Sequence, residues 1–243
     1  MKRIIVAANG PSAYCEEFKK YCDETLLMDS KTFRTNYFYL NDGDPLGYNV
    51  TDWFICEDVG DCRAVRGFMR GHHTASSDYM GGYPFAMHEK PTIWLPGINK
   101  RMIDEIDQNH LNGYDIRLQR EFSRLPDACR WDKDLAPERP LMGSFALAVA
   151  VGFQPEEIVL AGHDLFSHPS GFSHAGTEKE TRNWQTDFNS QYLGCVHRNH
   201  RISGDLKYIK AALSAYRGKV VSFGTPLKRF IADEFTEHMF IDG

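Results

Sequence analysis

The chain is 243 residues long, with 42% hydrophobic and 25% charged residues, a balance that excludes disorder and low complexity and suits one packed domain over residues 1–243. Its net charge of −5 lacks the broad basic field that non-specific nucleic-acid binding needs, local clusters at Lys207, Lys210, Arg217 and Lys219 notwithstanding. No run approaches the roughly 20 apolar residues that span a bilayer, and six scattered cysteines (Cys15, Cys22, Cys56, Cys62, Cys129 and Cys195) without Cys-x-x-Cys spacing point to reduced thiols in a cytoplasm.

In chain order, a β-branched run at 3–8, too brief for a signal peptide, is closed by Asn9-Gly10-Pro11-Ser12, and a helical pattern at 13–21 follows. Strands are predicted at 25–28, 33–36 and 52–56, with a Gly/Asp-rich turn at 41–47. A helix is expected at 61–69, a polar loop at 71–83, a strand at 92–95 and helical patterns between 100 and 123. Residues 143–152 form an apolar helix, 156–161 a strand, and Gly162-His163-Asp164 a turn at its carboxyl end. The polar, aperiodic stretch at about 165–200 predicts a lid able to exclude water from a reactive donor. A helix at 203–216, a strand at 219–223 and a helix at 227–235 close the chain. Such alternation predicts a Rossmann-like α/β fold: one mostly parallel sheet covered on both faces by helices, with an inserted lid.

Several residues could carry chemistry. Asn9-Gly10-Pro11-Ser12 sits where a strand gives way to a helix, so its free N–H groups can meet a phosphate; alternatively Ser12 only caps the helix. It is not the Gly-x-Gly-x-x-Gly dinucleotide fingerprint. His200 precedes a helix with a predicted N-cap at Ser203 and Asp205 in its first turn. There a positive helix end disfavours imidazolium and suits a general base, or the residue is a surface histidine. His163, Asp164, His168 and His174 crowd one loop, but without His-x-x-x-His spacing they read as polar contacts to nucleotide or sugar, and no metal is expected. Tyr37, Phe38 and Tyr39 are core or stacking residues.

Three blocks, in order across most of the chain, resemble glycosyltransferase family 42, the bacterial sialyltransferases that use CMP-sialic acid, and specifically their α-2,3 type. The first joins IIVAANGPS at 4–12 to TFRTNYFYL at 32–40, similar to the family's Asn-Gly-Pro-Ser turn and Phe-Arg-x-Asn-x-Phe segment. The second runs from Arg139 to Gly143 and on to Asp164, and the third is His200 followed by Ser203, Asp205, Leu206 and Lys207. The resemblance implies that Asn9, Gly10, Ser12 and Asn36 hold the CMP part of the donor, and that Gly143 and Asp164 belong to the same donor site. It makes Arg139 an active-site residue and His200 the base that deprotonates the acceptor hydroxyl.

The reaction so implied is inverting, needs no metal or cofactor, and takes a CMP-sugar donor and an oligosaccharide acceptor such as lipooligosaccharide. The implied location is the cytoplasm, peripheral to the inner membrane at most, without an anchor, and homo-oligomers are implied as well. In two places the chain departs from the family: Phe166 and Phe172 stand where it has tyrosines that stabilise the leaving phosphate, and Cys56 replaces an asparagine. Either His163, His168 or Ser170 then supplies the missing donor, or the chemistry has shifted. Residues 143–176 also resemble MptE-like pterin pyrophosphokinases and motility-accessory proteins. This leaves two alternatives: a diphosphokinase using ATP and a divalent metal, and a degenerate CMP-binding module without turnover.

Overall fold

The structure is a computed structural model and describes residues 1–24, 29–35, 45–47, 49–55, 91–95, 115–130, 140–165 and 202–242. Within them eight strands form one parallel sheet: β1 (Arg3–Ala7), β2 (Ser30–Thr35), β3 (Asp52–Phe54), β4 (Thr92–Leu95), β5 (Ile116–Leu118), β6 (Glu157–Ala161), β7 (Lys219–Phe223) and β8 (Met239–Ile241). Their spatial order is β5-β4-β3-β2-β1-β6-β7-β8. Four helices accompany them: α1 (Glu16–Glu24), α2 (Met142–Phe153), α3 (Ile202–Ser214) and α4 (Thr225–Ile231).

The strands read as near-continuous apolar runs because a parallel sheet is covered on both faces. Along β1, Ile4 and Val6 enter the core shared with α2, α3 and α4, whereas Ile5 and Ala7 enter the core on the side of α1. The same alternation separates Ile158 and Leu160 from Val159 and Ala161 in β6, and Val220 from Val221 in β7. In α1, Phe18 and Cys22, four residues apart, are the buried face, while Glu16 and Glu17 in its first turn complement the helix dipole. α2 is apolar all round, and every residue from Met142 to Gly152 is buried, as expected of a helix enclosed by sheet and neighbouring helices. It ends at Gln154, whose left-handed backbone (φ 49°) forms the cap.

The predicted fold class holds, and so do the strands at the head, centre and tail of the chain. The expected elements at 25–28, 61–69 and 71–83 lie outside the described residues, as does the lid expected at about 165–200 apart from Leu165. Three expectations need correction. Part of the helical stretch predicted at 100–123 is the edge strand β5 followed by one 3-10 turn, Gln119–Glu121; pairing of Ile116 with Ile93 overrides a pattern three residues cannot define. The last helix stops at Ile231 and is followed by β8, which the sequence reading missed because three half-exposed residues carry no period. Ser203 lies inside α3, which already includes Ile202, so it is not the residue preceding the helix. Cys15, Cys22 and Cys129 are free thiols, as expected.

Candidate active site

The sheet order reverses at β1. From β1 the chain proceeds outward to β5 on one side, then returns to place β6 against the other side of β1 and continues to β8. The connections after β1 and β6 therefore lead to opposite sides of the strand order, and in open α/β sheets ligands bind in the crevice outside the carboxyl ends of the strands at such a point. Three turns meet there: Asn9-Gly10-Pro11-Ser12 after β1, Gly162-His163-Asp164 after β6, and Gly224 after β7.

These turns are tied to one another by backbone and short polar side chains. The Gly10 amide donates to the Gly162 carbonyl at 3.1 Å, extending the β1–β6 ladder past the strand ends. The Ser12 amide donates to Asp164 Oδ2 at 2.8 Å, and Ser12 Oγ accepts from the Gly162 amide at 3.0 Å. Ser12 is fully buried and makes no capping bond in the 3-10 turn Pro11–Tyr14, so its hydroxyl serves as a cross-link between loops and not as the helix cap. Glycine is obligatory at this junction. A Cβ on Gly10 would stand 2.5 Å from both Asp164 Oδ2 and the Gly162 carbonyl, and one on Gly224, at φ 132°, 2.7 Å from Ser12 Oγ. Leu165, next in line, holds φ 48°, a strained value of the kind that gathers at functional sites.

Asn9 faces the neighbouring strand end. Its Nδ2 donates to the Thr35 carbonyl at 3.0 Å, while Oδ1 is buried without a hydrogen-bond partner among the described residues. With one N–H of the amide committed to Thr35, the side chain still presents a buried acceptor that calls for a donor.

On the other face α2 begins against the same crevice. A Cβ on Gly143 would lie 2.9 Å from the Ala8 Cβ and 3.0 Å from His163 Cε1, so the helix can approach only because that residue is glycine. His163 is buried; it bonds the Val6 carbonyl, and since its Nε2 has no partner among the described residues the donating atom is Nδ1. Burial lowers its pKa to about 4, leaving a neutral ring with only a lone pair still available. The start of α2 is also bonded from α3. Asp205 Oδ1 accepts from the Leu141 amide at 2.6 Å and from Ser144 Oγ at 2.7 Å, and burial pushes its carboxyl up to about 7 against those two bonds.

Of the residues singled out from sequence, Asn9, Gly10, Ser12, Gly143 and Asp164 are brought together at this crevice. Asn36, Arg139, Phe166, Phe172 and His200 lie outside the described residues, as do Cys56, His168, Ser170 and His174. Sequence reasoning missed Gly224 and Ser144. The signal for the first was a glycine between an apolar strand and a Thr-Pro helix start; for Ser144 there was none, because its role depends on Asp205, 61 residues away.

No family model matches the chain, and no curated protein matches it. Solved structures do. A sialyltransferase, CstII from Campylobacter jejuni with cytidine-5'-monophosphate, has a TM-score of 0.62 at 21% identity, covering 95% of this chain and 84% of that one. The same protein with CMP-3FNeuAc has a TM-score of 0.63 at 19% identity, covering 100% and 87%. The monofunctional α-2,3-sialyltransferase Cst-I from Campylobacter jejuni has a TM-score of 0.61 at 20% identity, covering 95% and 79%. At such identities the likeness shows a shared fold, extending over nearly the whole length of this chain.

Proposed function

We propose that this chain is an inverting glycosyltransferase that moves sialic acid, or a related nonulosonic acid, from a CMP-activated donor to a cell-surface oligosaccharide. The observation that carries the reading is the cross-linked pair of turns, Asn9-Gly10 and Gly162-His163-Asp164, at the sheet's reversal, in a fold shared with proteins solved with CMP and CMP-3FNeuAc. Asn9 Oδ1 supports it too, as a buried acceptor able to receive a hydroxyl or N–H of a bound nucleotide. No helix among the described residues is long and apolar enough to cross a membrane.

In this reading Asn9, Gly10 and Asn36 hold CMP, while Ser12, Gly143 and Asp164 set the shape of the turns around it. His200 removes the proton of the acceptor hydroxyl as that oxygen attacks the anomeric carbon. The bond from this carbon to the CMP phosphate oxygen breaks, its electron pair leaves on the phosphate, and Arg139 faces the reacting groups. Phe166 and Phe172 supply no hydroxyl to the departing phosphate, a deficit of about 2–4 kcal/mol by analogy with lost oxyanion donors. Of the three candidates for that donor, His163 is the least suited, because its one N–H bonds Val6 and burial lowers its pKa to about 4; His168 and Ser170 are the others.

Incubating the protein with CMP-sialic acid and a lactose-type acceptor, with and without EDTA, tests the proposal. Sialylated product that is insensitive to EDTA is the expected result. Turnover of ATP that requires a divalent ion, with none of CMP-sialic acid, would assign the chain to diphosphate transfer, and CMP binding with no turnover of any donor to a degenerate module.

A further inference from the structure

At the first turn of α2, hydrogen-bond donors and a buried acceptor stand side by side. The helix spans 12 residues, and the amides at its start have no carbonyl one turn earlier to bond. Asp205 takes the Leu141 amide at 2.6 Å. The next two amides, those of Met142 and Gly143, have no acceptor among the described residues. They form a pair of donors at the positive end of the helix dipole.

The acceptor is His163 Nε2. This side chain is 5% exposed, and a Cβ on Gly143 would stand 3.0 Å from its Cε1. Its Nδ1–H is engaged with the Val6 carbonyl, within β1, and Nε2 has no partner among the described residues. The two nitrogens of an imidazole point in widely diverging directions, so Nε2 faces away from the body of the strand, on the side where α2 begins. Burial lowers the ring's pKa to about 4, which leaves Nε2 at neutral pH with a lone pair and nothing to donate. Ala8, whose Cβ would lie 2.9 Å from the same Cβ on Gly143, precedes Asn9, so these groups adjoin the turn assigned to CMP.

Two donors beside one obligate acceptor select by chemistry. Cytosine matches all three: its exocyclic amine donates to Nε2, while its ring nitrogen and carbonyl oxygen accept from the amides. Uracil has a carbonyl oxygen in place of the amine and an N–H in place of the ring acceptor, so lone pair meets lone pair and donor meets donor. Sites built on buried hydrogen bonds reject an analogue that leaves their polar groups unpaired.

We propose that His163 Nε2, together with the first turn of α2, is a specificity-determining site that accepts the exocyclic amine of a nucleotide base and excludes uracil. The choice of cytosine as that base rests on the transferase reading above. Adenine carries the same amine beside a ring acceptor, and the test separates the two.

Calorimetry on the full wild-type chain compares CMP, UMP, AMP and the CMP analogue whose exocyclic amine is replaced by hydrogen. CMP should bind at least about tenfold more tightly than the analogue, the worth of one well-placed hydrogen bond, and UMP more weakly still. By NMR, the isotope-labelled Nε2 of His163, assigned by its absence from His163→Phe, should shift on adding CMP and not on adding the analogue. His163→Phe keeps a planar ring without the acceptor, so it should bind CMP and the analogue alike; should that variant fail to fold, the wild-type comparison decides alone.

CMP and analogue affinities within about twofold of each other in the wild type, or an Nε2 signal unmoved by saturating CMP, would overturn the site and leave the transferase reading intact. AMP that moves Nε2, with no binding of CMP, would keep the site and remove the CMP reading. Binding of neither nucleotide overturns both.

Discussion

Ser12 and Asp164 lie 152 residues apart in sequence, yet the Ser12 amide donates to Asp164 Oδ2 at 2.8 Å inside a fully buried junction. The bond joins the turn after β1 to the turn after β6, and Ser12 Oγ completes the link by accepting from the Gly162 amide. Whatever binds at the sheet's reversal therefore meets two turns that are hydrogen-bonded to each other.

Removing that acceptor should be felt in both fold and binding. Asp164→Ala leaves the Ser12 amide buried without a partner, which costs about 1–3 kcal/mol. Urea unfolding should show this as a lower midpoint. CMP affinity, followed by calorimetry, should fall in the same variant, and Asp164→Asn, which retains an acceptor oxygen, should lose less of both.

Gly10→Ala and Gly224→Ala should be more damaging than alanine substitution at Gly47, where only the backbone φ of 54° opposes a Cβ and nothing among the described residues lies within 4 Å of it. At Gly10 the added carbon meets a backbone carbonyl and a buried carboxylate oxygen at 2.5 Å, neither of which can retreat without breaking the junction. Overpacking of this kind costs about 1–3 kcal/mol. At Gly224 a disfavoured φ of 132° adds to the contact with Ser12. Thermal melts of the three variants give the ranking directly.

His163 makes a prediction about acid. Its folded pKa of about 4 lies below the ordinary 6.5 because burial penalises the charged ring, so the unfolded chain binds the proton first as pH falls. Stability from this group is complete above about 6.5 and is lost toward 4, at a slope of up to about 1.4 kcal/mol per pH unit. His163→Asn keeps a donor for the Val6 carbonyl and removes the titration. The stability difference between wild type and this variant should shrink as pH falls through that window.

Asp205 should give the opposite slope. Burial raises its carboxyl from 3.8 to about 7, so the folded chain holds the proton that the unfolded chain has released. Its contribution is full below about pH 4 and falls as pH rises through 7. Measured against Asp205→Asn, wild-type stability should therefore decline between pH 4 and 7 and level off above.

His200→Ala tests the proposed base. Turnover should drop by about 100- to 10,000-fold, the usual contribution of general acid–base catalysis, with CMP affinity unchanged. Steady-state kinetics with calorimetry on the same preparation separates the two. Full turnover in this variant would remove the proposed mechanism.

Local chemistry was enough to read much of this chain. Apolar runs at β1, β6 and β7 and the all-apolar α2 announce a parallel sheet buried on both faces, because only an element enclosed all round can dispense with a polar side. Asn9-Gly10-Pro11-Ser12 and Gly162-His163-Asp164 were likewise visible as turns following strands. Their union was not. The sheet order that sets β6 beside β1, the use of the Ser12 hydroxyl as a cross-link, and the capping of α2 by Asp205 all join residues more than 60 positions apart. Propensity and periodicity act within a few residues, whereas these pairings follow from which strand packs beside which, and that is decided only when the whole sheet closes its core.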